Sequence, residues 1–231
     1  MSKPGALSLP FTRRKVLVVG TFRSGTNVTQ TCLEQYFHTR VVFNEWFWKH
    51  GVPPTEIKRP IPRKVPILVM SKDPVELNRS LYRFWQARRP ELDVGRNISE
   101  FIRRRFIVYD NTGGDSRPRY YFLHPTEYWN QFYFSWLNWK AVSDQRVFLR
   151  CEDLMRDPEE CLSAFSARFG LQRRGAAPVS LPEGRVGPPV APETDTDESG
   201  LSGEDIDWIR RQVDPEVANA LGYAAGEQPG H

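Results

Sequence analysis

Residues 15–35 read KVLVVGTFRSGTNVTQTCLEQ, and this stretch decides the fold. Val16, Leu17, Val18 and Val19 form a continuous apolar run, the pattern of a strand covered on both faces. Gly20 and Gly25 bound a tight loop, after which Val28, Cys32, Leu33 and Tyr36 fall on one stripe of a helix. Strand, glycine loop and helix together turn free backbone amides and the positive end of a helix dipole toward an anion. The GxxxxG spacing is that of a phosphate loop, yet Thr26 and Asn27 stand where a nucleotide hydrolase carries Lys and then Ser or Thr. The anion cradle is kept and the nucleotide lysine is lost, which predicts nucleotide-phosphate binding without ordinary ATP chemistry.

Outward from this unit, strands and helices alternate. Val41, Val42 and Phe43 suit a short second strand, residues 51–66 are rich in Pro, Lys and Arg and read as a surface loop, and residues 67–70 form another buried strand. Asp73-Pro74 is a helix start, with Leu77, Leu81, Phe84 and Trp85 on the inner face. Residues 97–109 read as a further helix and residues 111–119 as a mobile loop. Pro125 and Thr126 open a helix carrying Tyr128, Phe132, Trp136 and Trp139, and residues 146–150 hold a short strand. Asp157-Pro158 starts a helix that Gly170 ends, and Ser202 with Asp205 makes a capping-box start for a last helix over residues 201–223. Residues 172–200 lack periodicity and read as a long loop, and residues 1–14 as a lead segment. The expectation is one α/β domain over residues 1–231, a doubly wound, mostly parallel sheet flanked by helices, with ligands at the carboxyl ends of the strands.

Composition narrows the class. The chain has 231 residues, with 32 basic against 28 acidic ones, a formal charge of +4 that suits an anionic ligand as well as an ordinary Arg-rich surface. Cys32, Cys151 and Cys161 are an odd number at no metal-ligand spacing, so free thiols in a reducing compartment are expected, and no metal. No apolar run approaches the ~20 residues of a membrane span. The opening MSKPGALSLPFTRRK lacks the continuous apolar core of a signal peptide, and the expected location is cytoplasmic.

A second charged element, Lys72-Asp73-Pro74 with Ser80 eight positions after the lysine, stands at the end of another buried strand. Taken with the first loop it resembles the sulfotransferases that use PAPS (3′-phosphoadenosine 5′-phosphosulfate). Arg23-Ser24-Gly25-Thr26-Asn27 is similar to that family's 5′-phosphosulfate loop, and the strand ending in KDP with Ser80 to its 3′-phosphate site. Lys72 replaces the family's usual Arg, keeping the charge and losing the bidentate fork. LRCEDLMRDPEECLSAFSARFGL from Leu149, and the closing LSGEDIDWIRRQVDPEVANALGY, also resemble family elements, so the likeness touches about half the chain.

The resemblance implies a P-loop NTPase-like sulfotransferase fold and sulfuryl transfer to a hydroxyl or amine of a small-molecule, lipid or carbohydrate acceptor. PAPS would be co-substrate, held by Arg23, Ser24, Gly25, Thr26, Asn27, Lys72 and Ser80, with Arg23 also stabilising the leaving phosphate. The base is His50, 22 positions before Lys72, or Glu45, with Lys49 as a further cation for the sulfonate. Trp46, Trp48, Tyr120 and Tyr121, placed in loops, are the acceptor-contact candidates. The family's basic closing segment is matched only by Arg173, Arg174 and Arg185. Three alternatives stay open. A phosphate-loop kinase predicts a Lys after Gly25, a nucleic-acid module would rest on Arg103, Arg104 and Arg105, and an inactive PAPS-binding fold would keep only the cradle. No nucleic-acid motif accompanies the arginines.

Overall fold

In the computed structural model, residues 13–223 are described, apart from 56, 89–93, 111–116 and 185–199. The chain runs β1 (Arg14–Gly20), α1 (Thr26–Tyr36), β2 (Thr39–Val42), β3 (Ile67–Ser71), α2 (Pro74–Arg88), α3 (Ile98–Arg103), β4 (Phe106–Asp110) and β5 (Arg117–Phe122). It continues through α4 (Pro125–Asn138), a 3-10 helix (Lys140–Gln145), β6 (Arg146–Arg150), α5 (Cys151–Arg156), α6 (Pro158–Phe169), α7 (Gly203–Gln212) and α8 (Pro215–Ala220). Four strands form a parallel sheet in the order β2-β1-β3-β6, and β4 pairs antiparallel with β5 in a separate ribbon.

Period-two alternation distributes the apolar runs between two cores. Leu17, Val19, Ile67 and Val69 face one layer, where Leu77 and Leu81 of α2 meet Trp129, Phe132, Tyr133 and Trp136 of α4. Val16, Val18, Leu68 and Met70 face the other, packed on Cys32 and Leu33 of α1 and on Leu154, Leu162 and Phe165 of α5 and α6. Each fully buried aliphatic side chain contributes about 1.5–3 kcal/mol. The sheet is therefore covered on both faces, an α/β arrangement consistent with double winding.

The helix starts follow their caps. Asp73 Oδ1 accepts from the amides of Val75 and Glu76 at 2.9 and 3.0 Å, Asp157 caps α6, and Gly170 ends it at φ 61°. Elsewhere the pattern reading needs correction. The helix expected over residues 97–109 stops at Arg103, and FIVYD becomes β4, with Phe106, Val108 and Asp110 buried in alternation. Its partner β5 takes Arg117–Arg119 out of the expected loop; residues 111–116 of that loop lie outside the described residues. A pairing partner beyond a polar stretch is invisible to local periodicity. The closing helix is two helices, because Asp214 caps a new start at Pro215, and proline bars helix from the residue before it. Most of the lead segment, residues 185–199 of the long loop, and with them Arg185, also lie outside the described residues. Among the described residues no helix is long and apolar enough to cross a membrane.

Asp205 pins α7 to the body. Its carboxylate accepts from the Ser202 amide at 3.1 Å, closing a capping box, and also from Ser202 Oγ at 2.8 Å, Ser99 Oγ at 2.7 Å and the Arg103 guanidinium. Burial alone would raise its pKa, but these donors outweigh it and hold the group at about 2. A depressed carboxylate stabilises the fold at pH values above its unfolded pKa, and that contribution is lost as pH falls through about 2. Asp205→Asn is expected to cost about 2 kcal/mol at pH 7, measured by urea unfolding. The gap to the unaltered protein should shrink steadily below pH 4 if the carboxylate charge is its source.

Candidate functional site

The carboxyl ends of β1, β3 and β6 deliver three chain segments to one edge of the sheet. Gly20 lies opposite Met70 and Ser71 opposite Arg150, so the glycine loop, Lys72-Asp73 and Cys151-Glu152 leave the sheet side by side. Open parallel sheets bind ligands at this edge.

The loop is held by close approach. A Cβ on Gly20 would lie 2.7 Å from the Met70 carbonyl oxygen and 2.3 Å from Ser24 Oγ, so no side chain fits there. Ser24 is fully buried and donates through Oγ to the Thr21 carbonyl at 2.8 Å. Thr21 Oγ1 meets the Tyr133 hydroxyl at 3.0 Å, and that hydroxyl donates to the Met70 carbonyl at 2.9 Å, which ties the loop to β3 from beneath. Arg23 and Gly25 both have left-handed backbone, φ 66° and 85°, with Ser24 between them. For Arg23 that conformation costs about 1–2 kcal/mol, and it curls successive amides into a concave nest.

α1 begins on this nest without a cap. Gly25 offers no side-chain acceptor, and no acidic residue occupies the first turn. Among the described residues no acceptor meets the backbone amides of Gly25, Thr26 and Asn27. The other helices of eight or more residues, α2, α4, α6 and α7, each start on a side-chain cap. The positive end of α1 is thus unmet by any side chain of the described residues.

Two ammonium groups flank this end. Lys72 Nζ donates to Ser80 Oγ at 2.8 Å, bringing together the residues the sequence paired. Lys49 Nζ donates to Asn27 Oδ1 at 3.1 Å, and burial lowers its pKa to about 8. Among the described residues neither lysine has a carboxylate within ion-pair distance. Cys151 Sγ packs beneath Gly25, where burial raises its pKa to about 11 against the opposing pull of Lys72 and Arg23.

His50 is buried beside the loop rather than exposed. Its Nδ1 lies 2.7 Å from the Gly20 carbonyl oxygen, which only accepts, so Nδ1 carries the proton and Nε2 the lone pair. The ring stacks on Phe22 at 4.0 Å, and Trp48 meets it edge-on. Burial, then the neighbouring Lys49, lowers its pKa to about 3. The Lys49 carbonyl accepts from the Gly20 amide at 3.0 Å, so residues 49–50 grip both polar groups of Gly20.

Several candidates sit elsewhere. Glu45 is bound by Lys15 at 2.7 Å and Arg59 at 2.6 Å, which lower its pKa. Lys15 enters β1 about 17 Å before Gly20, so Glu45 is committed away from the loop. Trp46 is buried under the same two cations, and Trp48 is buried as well. Tyr120 and Tyr121 lie on β5 rather than in a loop. Tyr120 stacks on Trp48, whereas Tyr121 is 69% exposed. Arg173 pairs with Glu159 at 2.7 Å, and Arg174 donates to the Phe37 carbonyl beyond the end of α1, which places both at the opposite end of α1 from the loop.

Other residues at this edge were not predicted as site residues. Trp129 Nε1 donates to the Lys72 carbonyl, Glu152 accepts from the Asp73 amide, and Tyr223 donates to Glu152. Glu152 and Tyr223 lie in the two segments, from Leu149 and at the closing GY, whose sequence was quoted above without a site role. Among the described residues no group of His, Cys, Asp or Glu gathers as a metal site. No model of a known protein family matches the chain, and no curated protein matches it.

His50 makes a test of this geometry. Its pKa is depressed in the folded state, so the unfolded chain binds the extra proton and the fold loses stability as pH drops from about 6.5 toward about 3. His50→Asn, which keeps a donor for the Gly20 carbonyl, is expected to flatten this part of the stability–pH curve. Parallel curves for the two proteins would place the imidazole in water instead.

Proposed function

We propose that the protein is a PAPS-dependent sulfotransferase with a P-loop-like anion cradle, transferring a sulfuryl group to a hydroxyl or amine of a small-molecule, lipid or carbohydrate acceptor. One observation carries the reading. Two positive elements, the uncapped head of α1 and the Lys72–Ser80 pair, stand at the ends of the adjacent strands β1 and β3. A nucleotide with phosphate groups at both its 5′ and 3′ positions needs two such elements. The residues present fit it: glycines at positions 20 and 25, where a Cβ would collide with Met70, Ser24 or Cys151 and push the loop out of shape, and a lysine whose partner is a hydroxyl rather than a carboxylate.

When bound, PAPS supplies an activated sulfuryl group. The amides of Gly25, Thr26 and Asn27, with Ser24 shaping the loop, would hold its 5′ side, and Lys72 and Ser80 its 3′-phosphate. Arg23, on the left-handed turn of the loop with its guanidinium over the Phe84 ring, would supply positive charge for the leaving phosphate. Lys49 adds a second positive group beside Asn27. His50 Nε2 holds the lone pair that receives the acceptor's proton, with Nδ1–H fixed on Gly20. Negative charge brought to the loop moves this imidazole back toward its ordinary pKa, making it a stronger base when the cradle is filled. The base role goes to His50 because Glu45 is engaged by Lys15 and Arg59. Trp48, edge-on to His50, and Tyr120, stacked on Trp48, are the aromatic side chains that would meet the acceptor.

Thermal denaturation with PAP (adenosine 3′,5′-bisphosphate), PAPS and ATP-magnesium in parallel tests the cofactor class. PAP and PAPS are expected to raise the melting temperature in a concentration-dependent way, and ATP-magnesium to leave it unchanged. Lys72→Ala should weaken PAP about 10- to 100-fold, the loss of a charge-assisted contact. His50→Ala should keep the PAP shift and abolish turnover. A shift with ATP-magnesium alone would instead favour a kinase, and PAP binding with no transfer to any acceptor would favour an inactive nucleotide-binding module.

A further inference from the structure

The Lys72–Asp73 peptide is held in an unusual way. Its carbonyl accepts from Trp129 Nε1 at 2.9 Å, and its amide donates to Glu152 Oε1 at 2.9 Å, so two side chains fix one peptide plane from both ends. Tyr223, the last described residue, touches both of them. Its hydroxyl donates to Glu152 Oε2 at 2.8 Å and lies 3.2 Å from Ser71 Oγ, the residue just before the plane. Its ring meets that of Trp129 with centroids 6.1 Å apart.

The closing turn is built to bring Tyr223 there. Gly222 follows α8 with φ 76°, a left-handed step suited to glycine, and the Tyr223 amide returns to the Ala218 carbonyl at 2.8 Å. Arg150, anchored on Asp153, donates to the Gly222 carbonyl at 2.7 Å and covers the Tyr223 ring at 5.5 Å. The end of α8 is thereby attached to the ends of β3 and β6.

We infer that Tyr223 is a positioning residue for nucleotide recognition: through Glu152 and Trp129 it locks the Lys72–Asp73 peptide plane and so aims Lys72 at the 3′-phosphate. The plane sets where the Lys72 side chain leaves the backbone, and Ser80, fixed on α2, marks the place it must reach. Desolvation, then the adjacent Glu152 charge, keeps the Tyr223 phenol protonated, as a donor to that carboxylate requires. This inference rests on reading Lys72 and Ser80 as the 3′-phosphate pair, while the latch itself is independent of any ligand.

Two measurements on the full chain separate the latch from the ligand. Amide hydrogen exchange in the unliganded protein reads the Asp73 amide directly, and Tyr223→Phe is expected to speed exchange of the segment around Ser71, Lys72 and Asp73 several-fold. Unchanged exchange there overturns the latch. Calorimetry with PAP and AMP, which differ by the 3′-phosphate, reads its consequence. Tyr223→Phe is expected to weaken PAP about tenfold and AMP less than twofold, as one hydrogen bond to a charged group is lost. Equal losses for PAP and AMP would make Tyr223 a general structural residue and overturn the inference. Glu152→Ala and the double variant should lose PAP affinity to the same extent, since both act through one chain of contacts, whereas additive losses overturn that coupling. If the unaltered protein binds no PAP, the donor assignment falls, and the exchange result alone decides the latch.

Discussion

Gly20 is the residue on which the rest of this edge depends. No side chain fits between the Met70 carbonyl and Ser24 Oγ, so β1 and β3 keep their spacing to the last residue and the loop folds back immediately. The two polar groups of Gly20 are taken by the Lys49 carbonyl and the His50 imidazole, which brings a third segment to the same point. One glycine therefore joins the strand, the loop, the neighbouring strand and the candidate base. A methyl group there would disturb all four, because protein interiors are packed too densely to absorb it locally.

Polar groups at this edge fall into two kinds. Those beneath the loop are satisfied internally: Ser24 on Thr21, Thr21 on Tyr133, Tyr133 on Met70, Glu152 between Asp73 and Tyr223. Those facing the head of α1 have neutral partners or, for the amides of Gly25, Thr26 and Asn27, no acceptor among the described residues. The internal network fixes positions, while Lys49 and Lys72 have no carboxylate within ion-pair distance among the described residues. Like charges held close together lower stability slightly on their own. The burial that pushes Lys49 and His50 toward their neutral forms belongs to the same balance.

Much of this was legible residue by residue. Val16–Val19 announced a buried strand because only a strand covered on both faces tolerates an unbroken apolar run. Asp73-Pro74 and Asp157-Pro158 marked helix starts because caps are local chemistry. Lys72 and Ser80 met because eight residues, from the end of a strand into the second turn of a helix, leave little freedom. The β4–β5 ribbon was missed because FIVYD and RPRYYF carry no common local signal and stabilise each other only as a pair. Glu45 and His50, five residues apart, were indistinguishable as bases in sequence, since nothing local says that Lys15 and Arg59 claim one while Gly20 and Phe22 enclose the other.

The amino-acid sequence by itself determined the strand, glycine loop and helix of residues 15–36, the strands and helices around the parallel sheet, and the capped helix starts at Asp73, Asp157 and Ser202, all of which depend on neighbours within a few turns of the chain. Tertiary structure alone decided which charges were already paired, which aromatics were core, and that Tyr223 would reach back 150 residues to the turn at Lys72–Asp73. The reason is range. Backbone propensities, caps and glycine turns act within a handful of residues, whereas burial and ion pairing depend on segments that meet only when the sheet has formed.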